Sequence, residues 1–222
     1  SGIPDYRDRN GDWKHARPVQ YGDFVSRPEV RQRYWARSFA GWRRIAAAQP
    51  NRAHTALAAL ESAGKVDTLI TQNVDGLHHR AGSRRVIDLH GRLQSVRCMS
   101  CGQITGRDEW QGKLAAANPE WHRDADYFAP DGDAKLRDED VSDFVVPDCA
   151  ACGGLVKPDV VFFGENVPRE RVASAFDATD RADALLVVGS SLMVYSGYRF
   201  ARRAAESGKP IAIVNRGRTR AD

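Results

Sequence analysis

Four cysteines, arranged as two Cys-x-x-Cys pairs, constrain this 222-residue chain more than any other feature. The first pair is Cys98 and Cys101, the second is Cys149 and Cys152, and the sequence has no further cysteine. Each turn directs both of its sulfurs at one point, so two turns complete a tetrahedron of thiolates about 2.3 Å from a zinc ion. Four thiolates leave no position for water or substrate. The sequence therefore predicts one structural zinc ion that takes no part in chemistry.

Two other interpretations of the cysteines have less support in the sequence. A disulfide framework needs an oxidising compartment, which nothing in the sequence indicates, and a thioredoxin-like redox site needs only one pair. The metal is expected to fold a small module over residues 96–155 that lacks a large core of its own. Between the pairs, Trp110, Trp121 and Phe128 are predicted apolar anchors, and the acidic stretch 131–143 is predicted to be a solvated loop.

Composition and charge exclude little. Hydrophobic residues make up 42% and charged residues 28%, which is typical of globular proteins, and no apolar run approaches the roughly 20 residues of a membrane span. The polar N-terminal segment is not a signal peptide, so the cytoplasm is the simplest compartment to expect. A net charge of +4 mildly favours an anionic partner, but the basic residues are mostly scattered, and a solvated helix face is the favoured interpretation of the densest group, within 31–44.

Outside the cysteine segment, short β-branched runs alternate with helical patterns. Strands buried on both faces are predicted at 66–71, 85–90, 159–163, 184–190 and 210–215, and helices at about 169–180 and 196–207. Alternation of strand and helix predicts an α/β fold with a parallel sheet and right-handed crossovers. Residues 26–63 are predicted to be helical, with Trp35, Phe39 and Trp42 packing against this main domain.

Polar residues follow the predicted strands at their carboxyl ends, where α/β sheets bind ligands. They are Gln72, Asn73, Asp75, His90, Gly91, Gly189, Ser190, Ser191 and Asn215. This composition favours a polyhydroxylated ligand that carries phosphate, with backbone N–H groups of the Gly-Ser-Ser turn facing the phosphate. The glycine fingerprint of ordinary dehydrogenases, GxGxxG, is absent from the sequence.

Several motifs together resemble one family. They are GIPDYR (2–7), TQNVDGLHHRAGS (71–83), VIDLHG (86–91), KPDVVFFGE (157–165), VVGSS (187–191) and IVN (213–215), in order around the two cysteine pairs. Their order and spacing resemble those of sirtuins, the NAD-dependent protein deacylases, over essentially the whole chain. Residues 33–42 are most similar to the class II branch.

The resemblance implies three parts and a cleft between domains in which NAD is consumed as a co-substrate. The expected parts are a Rossmann-like NAD-binding domain (1–25, 62–95 and 156–222), a helical module (26–61) and a zinc-binding module (96–155). Acylated-lysine proteins or peptides are the expected partners. A monomer is expected, with neither a membrane nor sequence-specific nucleic acid as a partner.

His90 is the residue for which the resemblance and elementary chemistry agree best. A lone histidine after a buried strand can be a core residue, but a near-neutral imidazole in a cleft also suits a general base. By resemblance, His90 takes a proton from the NAD ribose, whose hydroxyl then attacks an O-alkylimidate that forms when the acyl oxygen displaces nicotinamide. Asn73, with Gln72, would order the ribose and a water, and Asp75 would hold the nicotinamide carboxamide.

The remaining site residues are also carried over from the resemblance. The predicted NAD contacts are Asp5, Tyr6 (where Phe is commoner), Arg7, Gln72, Asn73, Val74, Asp75, Gly189, Ser190, Ser191, Asn215, Arg216 and Gly217. The predicted peptide-pairing strand is Val161, Phe162, Phe163, Gly164 and Glu165, opposite a wall of Val194 and Tyr195. Phe162 and Phe163 are the expected lining of the acyl-lysine tunnel, although the alternation of a strand directs one of them into the core. His78 and His79 are expected to be structural.

Tyr34 and Arg37 suggest an acyl preference. They are three residues apart on a predicted helix and therefore share one face. A Tyr-x-x-Arg at the comparable place reads an acidic acyl group in the desuccinylating branch of the family. The hypothesis is that dicarboxylic acyl chains such as glutaryl are substrates, and an arginine on a solvated face is the equal alternative.

The sequence departs from the family pattern at both ends. The family's GAGxS loop is expected just before Ser1, and a final strand and helix are expected after Asp222. We interpret these as missing ends of a longer protein, and the sequence as written is expected to bind NAD poorly. Two other functions stay open: mono-ADP-ribosyl transfer in the same cleft and, more distantly, a zinc-ribbon nucleic-acid module, which the acidic insert disfavours.

Overall fold

The computed structural model describes residues 3, 8, 18–121, 136 and 141–222. Its helices are α1 (Tyr21–Ser26), α2 (Pro28–Ala47), α3 (Arg52–Ser62), α4 (Leu77–Arg80), α5 (Arg107–Ala117), α6 (Arg169–Arg181) and α7 (Tyr195–Glu206). Its strands are β1 (Leu69–Thr71), β2 (Val86–Asp88), β3 (Gly91–Cys98), β4 (Ile104–Gly106), β5 (Val156–Val160), β6 (Leu185–Val188) and β7 (Ile211–Val214). Among the helices of the described residues, none has the length and apolar character that a membrane span needs.

Two parallel strand pairs confirm the α/β class. β1 pairs with β2, and β6 pairs with β7 over all four residues of each strand; α6 precedes β6 in the chain, and α7 connects β6 to β7. In the described part of the chain, no ladder joins the two pairs. The predicted division into Rossmann-like domain, helical module and zinc module stays a prediction.

The strand predicted at 159–163 is wrong in both position and direction. β5 covers Val156–Val160 and runs antiparallel to β3, which also pairs antiparallel with β4. β3 runs from Gly91 towards Cys98, and β5 returns from the second cysteine pair. This antiparallel return brings the two cysteine pairs together, with Cys98 directly opposite Val156.

Burial of the parallel strands on both faces is also corrected for β6 and β7. Val187, Ile211 and Ile213 pack in one cluster with Ala201 of α7, whereas Leu186 is 44% exposed and Val214 is 62% exposed. The side chains alternate between a covered and an uncovered face, as the pleat of a strand requires.

An aromatic core joins α2 to the segment between the cysteine pairs and takes in Trp35 and Phe39, whereas Trp42 packs on residues of the predicted main domain, as expected. Trp35 is fully buried, lies 5.4 Å from the Trp110 ring centroid, and donates its indole N–H to the Val156 carbonyl at 3.2 Å. Phe39 packs edge-on against Trp121. Trp42 belongs to a neighbouring cluster with Leu93 and Val160, on β3 and β5.

The anchors predicted between the cysteine pairs are buried where the structure describes them. Trp110 is 2% exposed and Trp121 is 5% exposed, while Phe128 lies outside the described residues. Within the acidic stretch 131–143, Leu136 and Val141 are buried in the same aromatic core, so a solvated loop is wrong at these two positions. Residues 131–135 and 137–140 lie outside the described part.

Candidate functional site

The four cysteine sulfurs form one compact cluster. The Cys98 and Cys152 sulfurs are 3.5 Å apart, those of Cys101 and Cys149 are 3.8 Å apart, and all four lie within 4.8 Å of one another. A tetrahedron with metal–sulfur bonds of about 2.3 Å places its sulfurs about 3.8 Å apart. The donor set and its spacing therefore fit one zinc ion, as the sequence predicts.

The backbone around the cysteines supports metal binding. N–H groups of Cys101 and Ser100 face the Cys98 sulfur and lower the pKa of that thiol. The Gly154 N–H also lowers the pKa of Cys152, but the three neighbouring sulfurs outweigh it and raise that pKa to about 12, so the four sulfurs need a cation to share. Gly154 follows the second pair, and a Cβ there would lie 2.7 Å from the Ser100 Cβ and 3.0 Å from the Cys98 sulfur. Only glycine fits at this position beside the metal.

His90 lies between β2 and β3 and bonds through both ring nitrogens. Nδ1 is 3.1 Å from the Gln72 carbonyl, which can only accept, so Nδ1 carries the proton. Nε2 therefore has the free lone pair, and it accepts from the Ser196 hydroxyl at 2.8 Å. Burial lowers the pKa of His90; the bond to Gln72 opposes this shift and the charges of Arg199 and Arg171 add to it. The imidazole is thus neutral near pH 7, with Nε2 as its basic atom.

The Gln72 side chain lies between two serines. Its Oε1 accepts from the Ser190 hydroxyl at 3.3 Å, and its Nε2 lies 3.5 Å from the Ser196 oxygen. A Cβ on Gly197 would collide with the Gln72 amide, so a larger residue next to Ser196 would displace that amide. This contact joins the loop after β1 to the start of α7.

The Asn73–Gly76 loop is held from several directions. The Asp75 carboxylate is buried and accepts from the Leu77 N–H at 2.8 Å, while the Gln94 amide donates to the Asp75 carbonyl at 2.7 Å. Gly76 has φ +70°, and a Cβ there would lie 2.8 Å from Gln94 Oε1. The predicted nicotinamide-holding carboxylate is therefore fixed in place by its own loop and by β3.

Other residues of this loop lie as a binding rim would require. The Asn73 side chain is exposed, and its backbone N–H is bonded to the Thr71 hydroxyl at 3.1 Å. Val74 packs in the cluster that contains Trp42 and Leu93. Asn73 can therefore reach a ligand, while Val74 anchors the loop to β3.

The turns after β6 and β7 lie side by side. Gly189 has φ +63°, and its N–H donates to the Val214 carbonyl at 2.8 Å. The Arg220 N–H donates to the Ser191 carbonyl at 2.9 Å, and the Asn215 amide donates to the Gly217 carbonyl at 3.1 Å. The structure thus brings together the predicted adenosine-side residues, including exposed Arg216. Asp5, Tyr6 and Arg7 lie outside the described residues.

The predicted peptide-binding segment, Val161–Glu165, follows β5 directly. Its Phe163 forms an isolated parallel bridge with Gln20, and the Phe163 carbonyl accepts from the Tyr21 N–H at 2.8 Å. The Glu165 carboxylate accepts from the Phe162 N–H at 2.8 Å and from Lys157 Nζ at 3.1 Å.

Lys157 was not identified from the sequence, although it organises this segment. It is only 4% exposed, and its ammonium lies 4.7 Å from the Phe162 ring centroid. Burial lowers the pKa of Lys157 and the charge of Glu165 opposes that shift. A lysine within a short strand gives no sequence signal that its ammonium is buried in an ion pair.

Tyr34 and Arg37 lie in different surroundings. Tyr34 is buried, with its ring centroid 5.2 Å from that of Phe162 and 5.5 Å from that of Phe24. Arg37 donates to the Leu136 carbonyl at 2.9 Å. Tyr34 therefore lies beside the expected tunnel-lining Phe162. The recognition of an acyl carboxylate by the pair stays a prediction.

A second histidine cluster lies beneath the Asp75 loop. The His54 and His78 ring centroids are 4.6 Å apart, and burial lowers the pKa of both imidazoles, that of His78 to about 4. His79 lies 2.8 Å from the Asp88 carboxylate. These contacts agree with the structural roles predicted for His78 and His79.

Parallel strands with polar loops at their carboxyl ends, joined to a four-thiolate metal module, define a zinc-containing α/β nucleotide-binding protein. The model of the Sir2 family matches residues 1–196. The chain belongs to this family.

Bacterial relatives match the whole chain. An NAD-dependent protein deacetylase 2 of Bradyrhizobium diazoefficiens is 60% identical over 222 residues, which are 100% of this chain and 81% of that protein. An NAD-dependent protein deacetylase of Bordetella bronchiseptica is 59% identical with the same coverage.

Solved structures of Sir2 proteins are similar to this chain over its whole length. A complex described as Sir2, p53 peptide and NAD⁺ has a TM-score of 0.78 at 33% identity, covering 100% of this chain and 78% of that one. A Sir2 complex with 2′-O-acetyl-ADP-ribose and a deacetylated peptide has a TM-score of 0.75 at 32% identity, with the same coverage.

Proposed function

We propose that this chain is an NAD-dependent protein-lysine deacylase that transfers the acyl group of acyl-lysine to ADP-ribose and releases nicotinamide. The observation that carries the proposal is His90, a neutral imidazole whose basic Nε2 is fixed within the loops that follow the parallel strands. The names of the relatives, and the peptide and acetyl-ADP-ribose in the related structures, support the same reaction.

His90 is suited to take one proton and return it. A hydroxyl of the NAD ribose would donate to Nε2, while Nδ1–H stays bonded to the Gln72 carbonyl. That carbonyl stabilises the imidazolium, whereas burial and the two nearby arginines disfavour it. A base whose cation is transient releases its proton readily, as repeated turnover requires.

The surrounding residues bind and orient. Asp75, whose carboxylate is buried in its loop, would accept from the nicotinamide carboxamide, and exposed Asn73 would contact the ribose. The turns at 190–191 and 215–217 would offer backbone N–H groups and polar side chains to the adenosine half, while the Gly189 N–H holds the two turns together. Val161–Glu165 would pair with the substrate peptide as an added strand, opposite Val194.

Zinc, when bound to the four thiolates, supplies structure and no reacting group. β5 starts beside this centre, where Val156 pairs with Cys98, and ends at Val160 next to the peptide segment. The metal module would therefore hold one wall of the cleft.

The test is nicotinamide release by the full-length protein with acetyl-lysine peptide. His90→Ala should lower kcat/KM by about 10²–10⁴-fold, the usual contribution of a general base. The matched control is His79→Gln, which removes an imidazole bonded to Asp88, and it should retain activity within about threefold. Equal activities of wild type and His90→Ala would sink the proposal.

Labelled NAD separates deacylation from mono-ADP-ribosyl transfer, which would use the same cleft. Adenine label that is released as O-acyl-ADP-ribose indicates deacylation, and label that stays on protein indicates transfer. Steeply salt-dependent DNA binding without nicotinamide release would instead support the nucleic-acid module.

Acyl preference is tested on the same assay. Related structures contain acetylated and propionylated peptides. If Arg37 reads an acyl carboxylate, Arg37→Met should lower the glutaryl-to-acetyl activity ratio by about tenfold, as expected for one lost charged hydrogen bond. An unchanged ratio would remove Arg37 from the site. The monomeric state, cytoplasmic location and independence from nucleic acid also stay predictions.

A further inference from the structure

We propose that Ser196 is a positioning residue for His90: its hydroxyl donates to Nε2 and holds the base in place in the free enzyme. The inference rests on the proposed deacylase function, in which Nε2 takes the proton. Ser196 lies in the first turn of α7, far from His90 in the chain, and its oxygen is 2.8 Å from Nε2.

The direction of this hydrogen bond follows from its neighbours. Because the Gln72 carbonyl fixes the proton on Nδ1, Nε2 has only a lone pair to offer, and the serine must donate. The Gln72 amide N–H faces the Ser196 oxygen at 3.5 Å, and its Oε1 accepts from Ser190 at 3.3 Å. The series of hydrogen bonds therefore has one direction: Ser190 donates to Gln72, Gln72 faces Ser196 with its N–H, and Ser196 donates to His90.

This polarity favours the neutral imidazole. A protonated Nε2 would have to donate to Ser196, and the serine hydrogen would then need another acceptor while its oxygen faces the Gln72 N–H. Hydrogen bonds aligned in one direction strengthen one another, so reversing the bond between Ser196 and His90 weakens the other bonds of the series. Ser196 thus opposes protonation of His90 before NAD binds.

The other groups that face His90 define the background for this effect. Burial and the charges of Arg199 (on α7) and Arg171 (on α6) lower the pKa of His90, and only the Gln72 carbonyl raises it. None of these depends on the Ser196 hydroxyl. Removing that hydroxyl should therefore shift the titration without removing the base.

The residue that follows Ser196 leaves room for the Gln72 side chain. Gly197 has no Cβ, which would otherwise collide with the Gln72 amide. Ser196 and Gly197 therefore lie together against the Gln72 side chain, and Ser196 also contacts His90. In the nicotinamide-releasing complex, the ribose hydroxyl takes over from Ser196 as the donor to Nε2.

The experiment compares Ser196→Ala and Ser196→Thr with wild type in the full-length protein. The measurement is kcat/KM for NAD between pH 5.5 and 9, because its acid limb reports the base in the free enzyme. In Ser196→Ala, the apparent pKa of this limb should rise by about 0.5–1 unit, the equivalent of one ordinary hydrogen bond. Ser196→Thr keeps the hydroxyl and should restore the wild-type limb.

The matched control is Ser62→Ala, which removes a hydroxyl bonded to the Ala58 carbonyl in α3 and should leave the profile unchanged. The proposal is overturned if the Ser196→Ala and wild-type profiles superimpose. It is also overturned if the alanine variant loses activity equally at every pH and threonine does not restore it, since that pattern indicates a purely structural role.

A readout without turnover separates this proposal from the deacylase function. The ¹⁵N resonances of the His90 ring report its protonation and tautomer in the free protein. Wild type should show the Nδ1–H tautomer, and Ser196→Ala should titrate at higher pH. If wild type releases no nicotinamide, the function fails, yet this titration still decides whether Ser196 controls His90.

Discussion

The zinc centre and the nucleotide cleft are built in opposite ways. All four zinc ligands lie on two short turns, and the sulfur positions follow from the spacing within each pair. In the cleft, His90 depends on Gln72, in the loop after β1, and on Ser196, at the start of α7. The contrast shows that residue type and local spacing can specify a metal site, whereas a tuned base depends on how distant elements pack.

The two regions nevertheless share β5 and the aromatic core. β5 leads from the metal centre to the peptide-binding segment, and Phe162 of that segment packs against the core that contains Trp35 and Trp110. Damage on the zinc side should therefore reach the cleft, whereas damage in the cleft should stay local.

Zinc removal gives the largest expected effect. A structural site of this kind contributes on the order of 10 kcal/mol, more than most domains have in reserve. Chelation should abolish nicotinamide release and change the near-UV circular dichroism of the buried tryptophans, and added zinc should restore both. Activity that persisted after complete removal of zinc, verified by metal analysis, would contradict the claim that the metal module holds one wall of the cleft.

Breaking the buried ion pair of the peptide segment ranks second. Lys157→Met leaves the Glu165 carboxylate without its cation and should lower the free energy of unfolding by about 2–4 kcal/mol, a little less than for a fully buried pair because Glu165 is 22% exposed. KM for peptide should rise as well. The control Lys113→Met breaks an exposed pair with Glu109 and should cost under about 0.5 kcal/mol by urea denaturation.

The Asp75 loop should respond to a single methyl group. Gly76→Ala places a Cβ at φ +70° and against the Gln94 amide, so it should destabilise by about 1–3 kcal/mol and raise KM for NAD. Gly112→Ala, in α5 with open space around it, should instead stabilise by about 0.5–1 kcal/mol. Thermal unfolding of both variants checks the difference in sign, and equal effects would mean that the loop is not constrained.

A pH effect is the smallest difference expected for one unit of pH, at most about 1.4 kcal/mol for a single titrating group. The unfolded chain binds a proton on His78 near its ordinary pKa of 6.5, but the folded protein does so only at about 4. The free energy of unfolding should therefore fall as pH decreases from about 6.5 to 4, and His54 adds to this trend because burial lowers its pKa too. Urea midpoints measured across this window should slope less in His78→Gln. An identical slope would show that His78 is not the group that titrates.

Part of this molecule could be predicted from its sequence. The cysteine spacing specifies the metal cluster, and β-branched runs correctly indicate β1, β2, β6 and β7. These features depend on local composition. The polar residues at strand ends also lie where parallel strands place them.

The remainder depends on partners that periodicity does not reveal. The sequence pattern predicts β5 as a parallel strand, because an apolar run does not reveal the direction in which a strand pairs. In the structure β3 pairs with β5 antiparallel. Trp35 and Phe39 are correctly apolar, but their partners lie across the zinc segment. Ser196 looks like an ordinary serine at a helix start, and only the packing of α7 against the loop after β1 brings it to His90.

Cobalt substitution tests most directly the claim that the metal holds structure while His90 does the chemistry. Cobalt bound by four thiolates should show a tetrahedral absorption spectrum that NAD and acyl peptide do not alter. We predict that kcat/KM and its acid limb agree with those of the zinc enzyme within about twofold. A spectrum that changes when substrate binds, or an acid limb that moves with the metal, would contradict the account.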